Sequence, residues 1–174
     1  MDFSFFETLT NSEAKLFLSN FLREEEKGFG QMINDMTNEG LSVDFSIASI
    51  HPVLTWLTGK LKTFPEQADE NLPVWIRETD SYKKGLYSFD ATSKITIMRA
   101  AYYMGECFVR THSQLKWAIG EKETMAQNMP VILGFIKKME FPPILVCENL
   151  FRNIIEDGVT DRIKSVVEKW ESFI

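Results

Sequence analysis

The sequence predicts an α+β fold: a mostly helical single domain spanning 1–174, with a small antiparallel sheet or hairpin in its C-terminal half. Three observations carry that expectation. Apolar residues recur at three- and four-residue steps along most of the chain, which is the pattern of amphipathic helices. Between Leu115 and Leu133 the period drops to two and β-branched residues gather. The 174 residues include 44% hydrophobic side chains, with 14 Phe and 4 Trp, and no repeat or low-complexity linker divides them. A chain of this size buries roughly 70% of the surface exposed by its unfolded form, so it needs no metal or disulfide staple.

The elements follow in order. Thr10 and Glu13 have capping-box spacing at a helix start. Leu16, Phe17 and Phe21, then Phe29, Met32, Ile33 and Met36, continue the stripe to Asn38. Gly28 and Gly30 interrupt it, so one broken helix or two in series is expected. Leu41 to Ser46 alternates briefly, as a short strand or an extended lead-in. A second helix carries Ile50, Val53, Leu54, Leu57 and Leu61, with Pro52 assigned to its first turn. Pro65 to Pro73 reads as an acidic loop, and 74–89 offers only a short helix around Trp75 and a turn near Gly85. Asp90 caps a third helix with Ile97, Ala101, Met104 and Phe108 on one face. Within it, Ala100, Ala101 and Gly105 leave room for a close neighbour. Leu115 to Gly120 and Met129 to Leu133 read as paired strands, and Phe135 to Phe141 prolongs the second or adds a third. Pro142-Pro143 introduces a helix closed by Gly158, and Thr160 opens the last one, with Ile163, Val166, Val167, Trp170 and Phe173 in helical register. Trp75, Trp117 and Trp170 are expected in the core, with an exposed aromatic patch in 65–89 as the alternative for Trp75.

Composition excludes some partners. The formal charge is −6, from 25 acidic and 19 basic residues, and the Lys doublets are confined to Lys83-Lys84 and Lys137-Lys138. Nucleic-acid binding requires clustered cations, so it is not expected. A basic protein partner fits the charge. MDFSFFETLT lacks a basic leader segment, and the longest near-apolar run, Met129 to Ile136, is far too short to cross a bilayer. No membrane partner and a cytoplasmic location are expected. Cys107 and Cys147 both sit in apolar surroundings and read as buried reduced thiols. Monomer and homodimer both fit.

No catalytic, cofactor-binding or metal-ligating residue is singled out, and no cofactor is expected. His51 and His112 lack ligands at metal-site spacing. Cys107 and His112 are about 140° apart around a helix and diverge. The glycines form no phosphate-cradling turn. The most distinctive constellation lies on the third helix, where Arg99, Tyr102 or Tyr103, Glu106 and Arg110 make a polar-aromatic stripe. Glu106 and Arg110 are an i, i+4 pair. The stripe reads either as a structural ion pair or as a binding patch, because Arg and Tyr are enriched at binding hot spots. The candidate patch joins it to the acidic face Glu24, Glu25, Glu26 and to the acidic loop 66–70.

Asp44-Phe45-Ser46-Ile47-Ala48-Ser49, then Tyr103-Met104-Gly105-Glu106-Cys107-Phe108-Val109-Arg110, then Trp117 and Pro130-Val131, form a recognisable order. It resembles a group of small uncharacterised bacterial domains with a D-aromatic-S-x-x-S segment, a Y-x-G-E-x-x-x-R helix and a strand bearing Trp. Some of these lie beside toxin genes and are treated as immunity-like proteins. The resemblance covers about residues 41–155 and implies an α+β fold in which Asp44, Gly105, Glu106 and Trp117 hold matching positions. It brings no catalytic residue. Here Thr111-His112-Ser113-Gln114 stands where a glycine-containing turn is more typical. The expected function is a non-enzymatic protein-binding module, an immunity-like inhibitor. The alternative is a small-molecule site or enzyme built around Tyr102, Tyr103, Glu106 and Arg110.

Overall fold

A computed structural model describes residues 3–65, 72–78 and 87–174. Among them are seven helices, in chain order α1 (Ser4–Glu7), α2 (Asn11–Asn38), α3 (Ile47–Thr58), α4 (Val74–Arg77), α5 (Ala91–Thr111), α6 (Pro143–Asp157) and α7 (Arg162–Glu171). Two antiparallel pairs complete the fold: β1 (Thr63–Pro65) with β2 (Tyr87–Phe89), and β3 (Lys116–Ile119) with β4 (Pro130–Leu133). This is the mostly helical α+β architecture the sequence predicts, with its hairpin in the C-terminal half. The β1–β2 pair is additional; three-residue strands are too short to show a period.

α5 is the hub. Asp90 Oδ1 accepts the Ser93 amide at 2.7 Å and starts the helix where expected. Ile97, Ala100, Ala101, Tyr103, Met104, Cys107 and Phe108 are then fully buried. A helix buried on most of its circumference needs partners on several sides. α2, α3, α6 and β3 supply them. The expectation about Gly105 holds, since a Cβ there would overlap the Trp117 ring and stand 3.2 Å from Ile132 Cδ1.

α2 is one continuous helix of 28 residues rather than two in series. Its start carries the expected capping box, Thr10 N–H to Glu13 Oε2 at 2.8 Å and Glu13 N–H to Thr10 Oγ1 at 3.3 Å. The glycines do not break it, because Phe29 between them is fully buried and stacks on Tyr103 at 4.7 Å. Residues 41–46 form no strand; this lead-in bends at Asp44 and turns left-handed at Phe45. α3 begins earlier than expected: Asp44 Oδ1 holds the Ser46 amide at 2.9 Å, and Ser46 Oγ then accepts from Ser49 N–H. Pro52 therefore lies inside the helix instead of in its first turn. The carbonyl it leaves without a donor belongs to Ala48, which is exposed to water.

After β4, Gly134 adopts φ +116 and turns the chain. Residues 136–138 form a 3-10 turn rather than a strand, and Phe141 alone returns to pair with Ile132. Gly158 closes α6 in the left-handed conformation as predicted. α7 starts at Arg162, after Asp161, two positions beyond Thr160. Its Trp170 packs on Phe141 at 4.5 Å and on Phe135 at 5.3 Å, sealing the base of the hairpin. Trp75 is 73% exposed, which corrects its placement in the core: the four-residue helix that carries it buries none of its residues. The turn near Gly85 and the acidic loop 66–70 lie outside the described residues.

Candidate functional site

The stripe on α5 is divided by its neighbours into three environments. Tyr103 turns inward. Its hydroxyl meets Ser49 Oγ at 2.6 Å, Phe29 stacks on one side of its ring and Phe45 packs at 4.9 Å. Burial pushes the Tyr103 hydroxyl well above its ordinary range, and pushes the nearby Cys107 thiol up to about 12. Both cysteines are buried and unpaired, as expected.

The second environment is the seam where α2, α5 and β3 meet. Glu106 Oε1 accepts Trp117 Nε1–H at 2.9 Å, and Glu106 Oε2 accepts Arg110 Nε–H at 2.8 Å. Trp117 reaches Glu106 because the absent Cβ of Gly105 lets its ring lie against the helix. Phe21 of α2 closes over that ring edge-on at 5.7 Å. The Arg110 guanidinium lies over the Phe45 ring, 3.8 Å from its centroid. Phe45 itself has φ +58, a left-handed backbone that costs a bulky residue on the order of 1–3 kcal/mol. Asp44 holds that turn through Ser46, and the same hydrogen bonds keep the Asp44 carboxyl below its ordinary range. Tyr102 sits beside this assembly. Its hydroxyl is pushed up to about 12, first by burial and then by the charges of Glu106 and Glu26, with Arg110 opposing.

The result is an arginine held at its edge and on its face. Glu106 fixes its Nε edge, Trp117 fixes Glu106, and Phe45 supports its face. The Arg110 side chain remains 47% exposed. Such a group presents a planar cation with little rotamer freedom left to lose. Both carboxylate oxygens of Glu106 are engaged, one by Arg110 and the other by Trp117.

The third environment is the α2 side of Arg99. Of the acidic triplet, Glu24 and Glu26 face solvent, and Glu24 pairs with Arg23 at 3.1 Å. Glu25 does not share that solvated face: it turns inward toward Arg99 and buries Oε2. The structure thus brings Glu26, Tyr102, Glu106 and Arg110 together, sets Glu25 with Arg99, and sends Tyr103 into the core. Phe45 and Trp117 complete the seam. Sequence reasoning did not assign them there: Phe45 breaks no periodicity, and Trp117 reads as core.

Other clefts lie elsewhere among the described residues. The groove between α6 and α7, of about 370 Å³, has Val146, Leu150, Val166 and Trp170 with Asn149 and Asn153 alongside. A second, of about 260 Å³, runs between α3 and α7 past His51, Lys164 and Glu168. Burial, then Lys164, holds His51 below its ordinary range against Asp161. A third, of about 420 Å³, lies between Asn11 and the hairpin loop at Gln127. Among the described residues no three His, Cys, Asp or Glu side chains are grouped to hold a metal ion, and no helix is long and apolar enough to cross a membrane. No family description, curated protein or solved structure matches this chain.

Proposed function

We propose that this protein is a non-enzymatic protein-binding module, an immunity-like inhibitor that works in the cytoplasm by covering a site on a partner protein. The observation that carries this reading is the clamped Arg110. Interfaces concentrate their binding energy in Arg, Tyr and Trp whose conformations are set beforehand. The strained Phe45 turn and the Glu106–Trp117 bond do that for Arg110. The exposed Glu26 beside Tyr102 and the exposed Glu24, with a net charge of −6, favour encounter with a basic partner. The partner surface that meets Arg110 then offers a carboxylate or backbone carbonyls.

The test is capture from lysate of the source cells on tagged protein at low and moderate salt, with wild type, Arg110→Ala and Arg110→Lys compared. The expected result is one stoichiometric, predominantly basic partner, weakened by salt and lost with Arg110→Ala. Equal retention by Arg110→Ala of normal thermal stability sinks the assignment of the seam. A small-ligand reading rests on the α6–α7 groove, whose apolar side chains and Asn149 and Asn153 amides suit an amphipathic molecule. An empty capture together with ligand-induced shifts at Trp170 favours it.

A further inference from the structure

The middle of α2 contains an arrangement that ordinary helix packing does not require. Glu25 Oε2 and Arg99 Nε are both buried, and neither has a hydrogen-bond partner among the described residues. Arg99 instead donates Nη1–H to the Met32 thioether at 3.1 Å, a weak acceptor for a guanidinium. Its guanidinium rests on the backbone of α2 at Gly28, where a Cβ would stand 3.0 Å from Nε and Nη2. A carboxyl and a guanidinium have been brought into one half-buried seam in which each keeps a buried atom without a hydrogen-bond partner. Burying an ionised carboxylate under those terms is costly, whereas the neutral acid is tolerated.

The same stretch holds the two residues of lowest helix propensity in α2, Gly28 and Gly30. Gly28 and Gly30 each lower helix stability by about 1 kcal/mol relative to Ala. Gly28 has a packing reason in Arg99. Gly30 has none, since nothing lies within 4 Å of the Cβ it lacks. A charge with a reason to leave the interface is therefore set one turn before two residues that lower the cost of unwinding the helix, with the buried Phe29 between them as the anchor to be released.

We propose that Glu25, Arg99 and the Gly28–Gly30 stretch form a proton-operated latch: with Glu25 neutral the middle of α2 stays seated on α5, and ionised Glu25 raises the population in which this segment lifts into water. The charges that face Glu25 are Arg99 from α5, which favours ionisation, and Glu24 from α2 itself, which opposes it. β3, also packed on α2, turns Trp117 toward Phe21 and Glu106 instead. Burial is the largest influence and pushes the Glu25 carboxyl up to about 7. Proton binding to the seated form thus favours it fully at acidic pH, and the advantage is lost as pH rises through that value. The device does not depend on any partner.

The test is hydrogen exchange of the full chain, read on peptides covering 22–36 and corrected for intrinsic rates, from about pH 5.5 to about pH 8.5. In wild type, opening is expected to rise about tenfold across the range, less than the full shift implies because Glu25 is partly solvated. Glu25→Gln should flatten the response. Gly30→Ala should cut opening about fivefold at every pH while keeping the pH response. Opening that is independent of pH in wild type, or an unchanged response in Glu25→Gln, overturns the proposal. Should Glu25→Gln fold poorly, the side-chain carboxyl carbon of Glu25 can be followed by NMR in wild type. A midpoint near 7 supports the latch and one at the ordinary 4.5 overturns it.

Discussion

At the scale of single residues, the seam is built by what Gly105 lacks and by what Glu106 holds. A Cβ at 105 overlaps the Trp117 ring, and the ring cannot retreat without losing its bond to Glu106. Gly105→Ala is expected to destabilise the protein by about 1–3 kcal/mol in urea denaturation, despite the better helix propensity of Ala. Gly30→Ala, with open space around it, is expected to stabilise by about 0.5–1 kcal/mol in the same assay. Glu106→Ala leaves the partly buried Trp117 Nε1–H without its acceptor, at a cost of about 1–3 kcal/mol. It also frees Arg110. Trp fluorescence should shift with Glu106→Ala and much less with Glu106→Gln, whose amide oxygen can still accept. The Glu106 pair and the capping role of Asp90 follow from spacing alone. Phe45 is different: its left-handed backbone is a consequence of what surrounds it, and no local signal marks it.

At the scale of elements, the connections explain which expectations held. Glycine and proline act locally when the chain around them is exposed, as at Gly158, and yield when a buried neighbour decides. The Phe29–Tyr103 stack carries α2 straight through two glycines, and the Asp44–Ser46 bond starts α3 five residues before Pro52. The hairpin is the converse case. Its strands pair in register from Lys116 with Leu133 through Ile119 with Pro130. Its loop is tied back to the N-terminus where Asn128 Nδ2 donates to the carbonyls of Phe6 and Leu9 at 3.0 and 2.8 Å. Asn128→Ala is expected to leave the strands paired and to raise hydrogen exchange in the loop and in α1, since both ends of that tether are released together.

At the scale of the whole molecule, one apolar cluster runs from Phe6 to Val167 with α5 at its centre. A continuous core unfolds as a unit. Near-ultraviolet circular dichroism, which reports the tryptophans, and far-ultraviolet circular dichroism, which reports the helices, should give coincident urea transitions. Separate midpoints would mean that the α6–α7 end unfolds on its own. The pH dependence combines opposed contributions. Glu25 stabilises the fold fully below 4.5 and ceases to as pH rises through about 7. Asp44 and Asp90, held below the ordinary 3.8 by hydrogen bonds from Ser46 and Ser93, stabilise above that value and cease to as pH falls through their folded values. Thermal stability is therefore expected to peak at mildly acidic pH. Glu25→Gln should remove the decline on the alkaline side while leaving the acid side unchanged.

The sequence by itself determined the class of fold, the helix starts at Thr10 and Asp90, the hairpin, the Gly158 stop and the close approach at Gly105. The helix starts, the hairpin and the Gly158 stop are written as a period or a cap along one stretch of chain, and Gly105 marks a close approach by standing where a helix prefers Ala. Only the tertiary structure decided that α2 is continuous, that Trp75 faces solvent, that Glu25 leaves the acidic face, and that Phe45 supports Arg110. Three of these turn on contacts between residues distant in the chain, Phe29 with Tyr103, Glu25 with Arg99 and Phe45 with Arg110, whereas Trp75 faces solvent because its four-residue helix buries none of its residues. Local patterning sets what each segment can form. Which side chains then share a buried space is settled only when the segments pack, because desolvation and ring stacking act through space and leave no spacing to read.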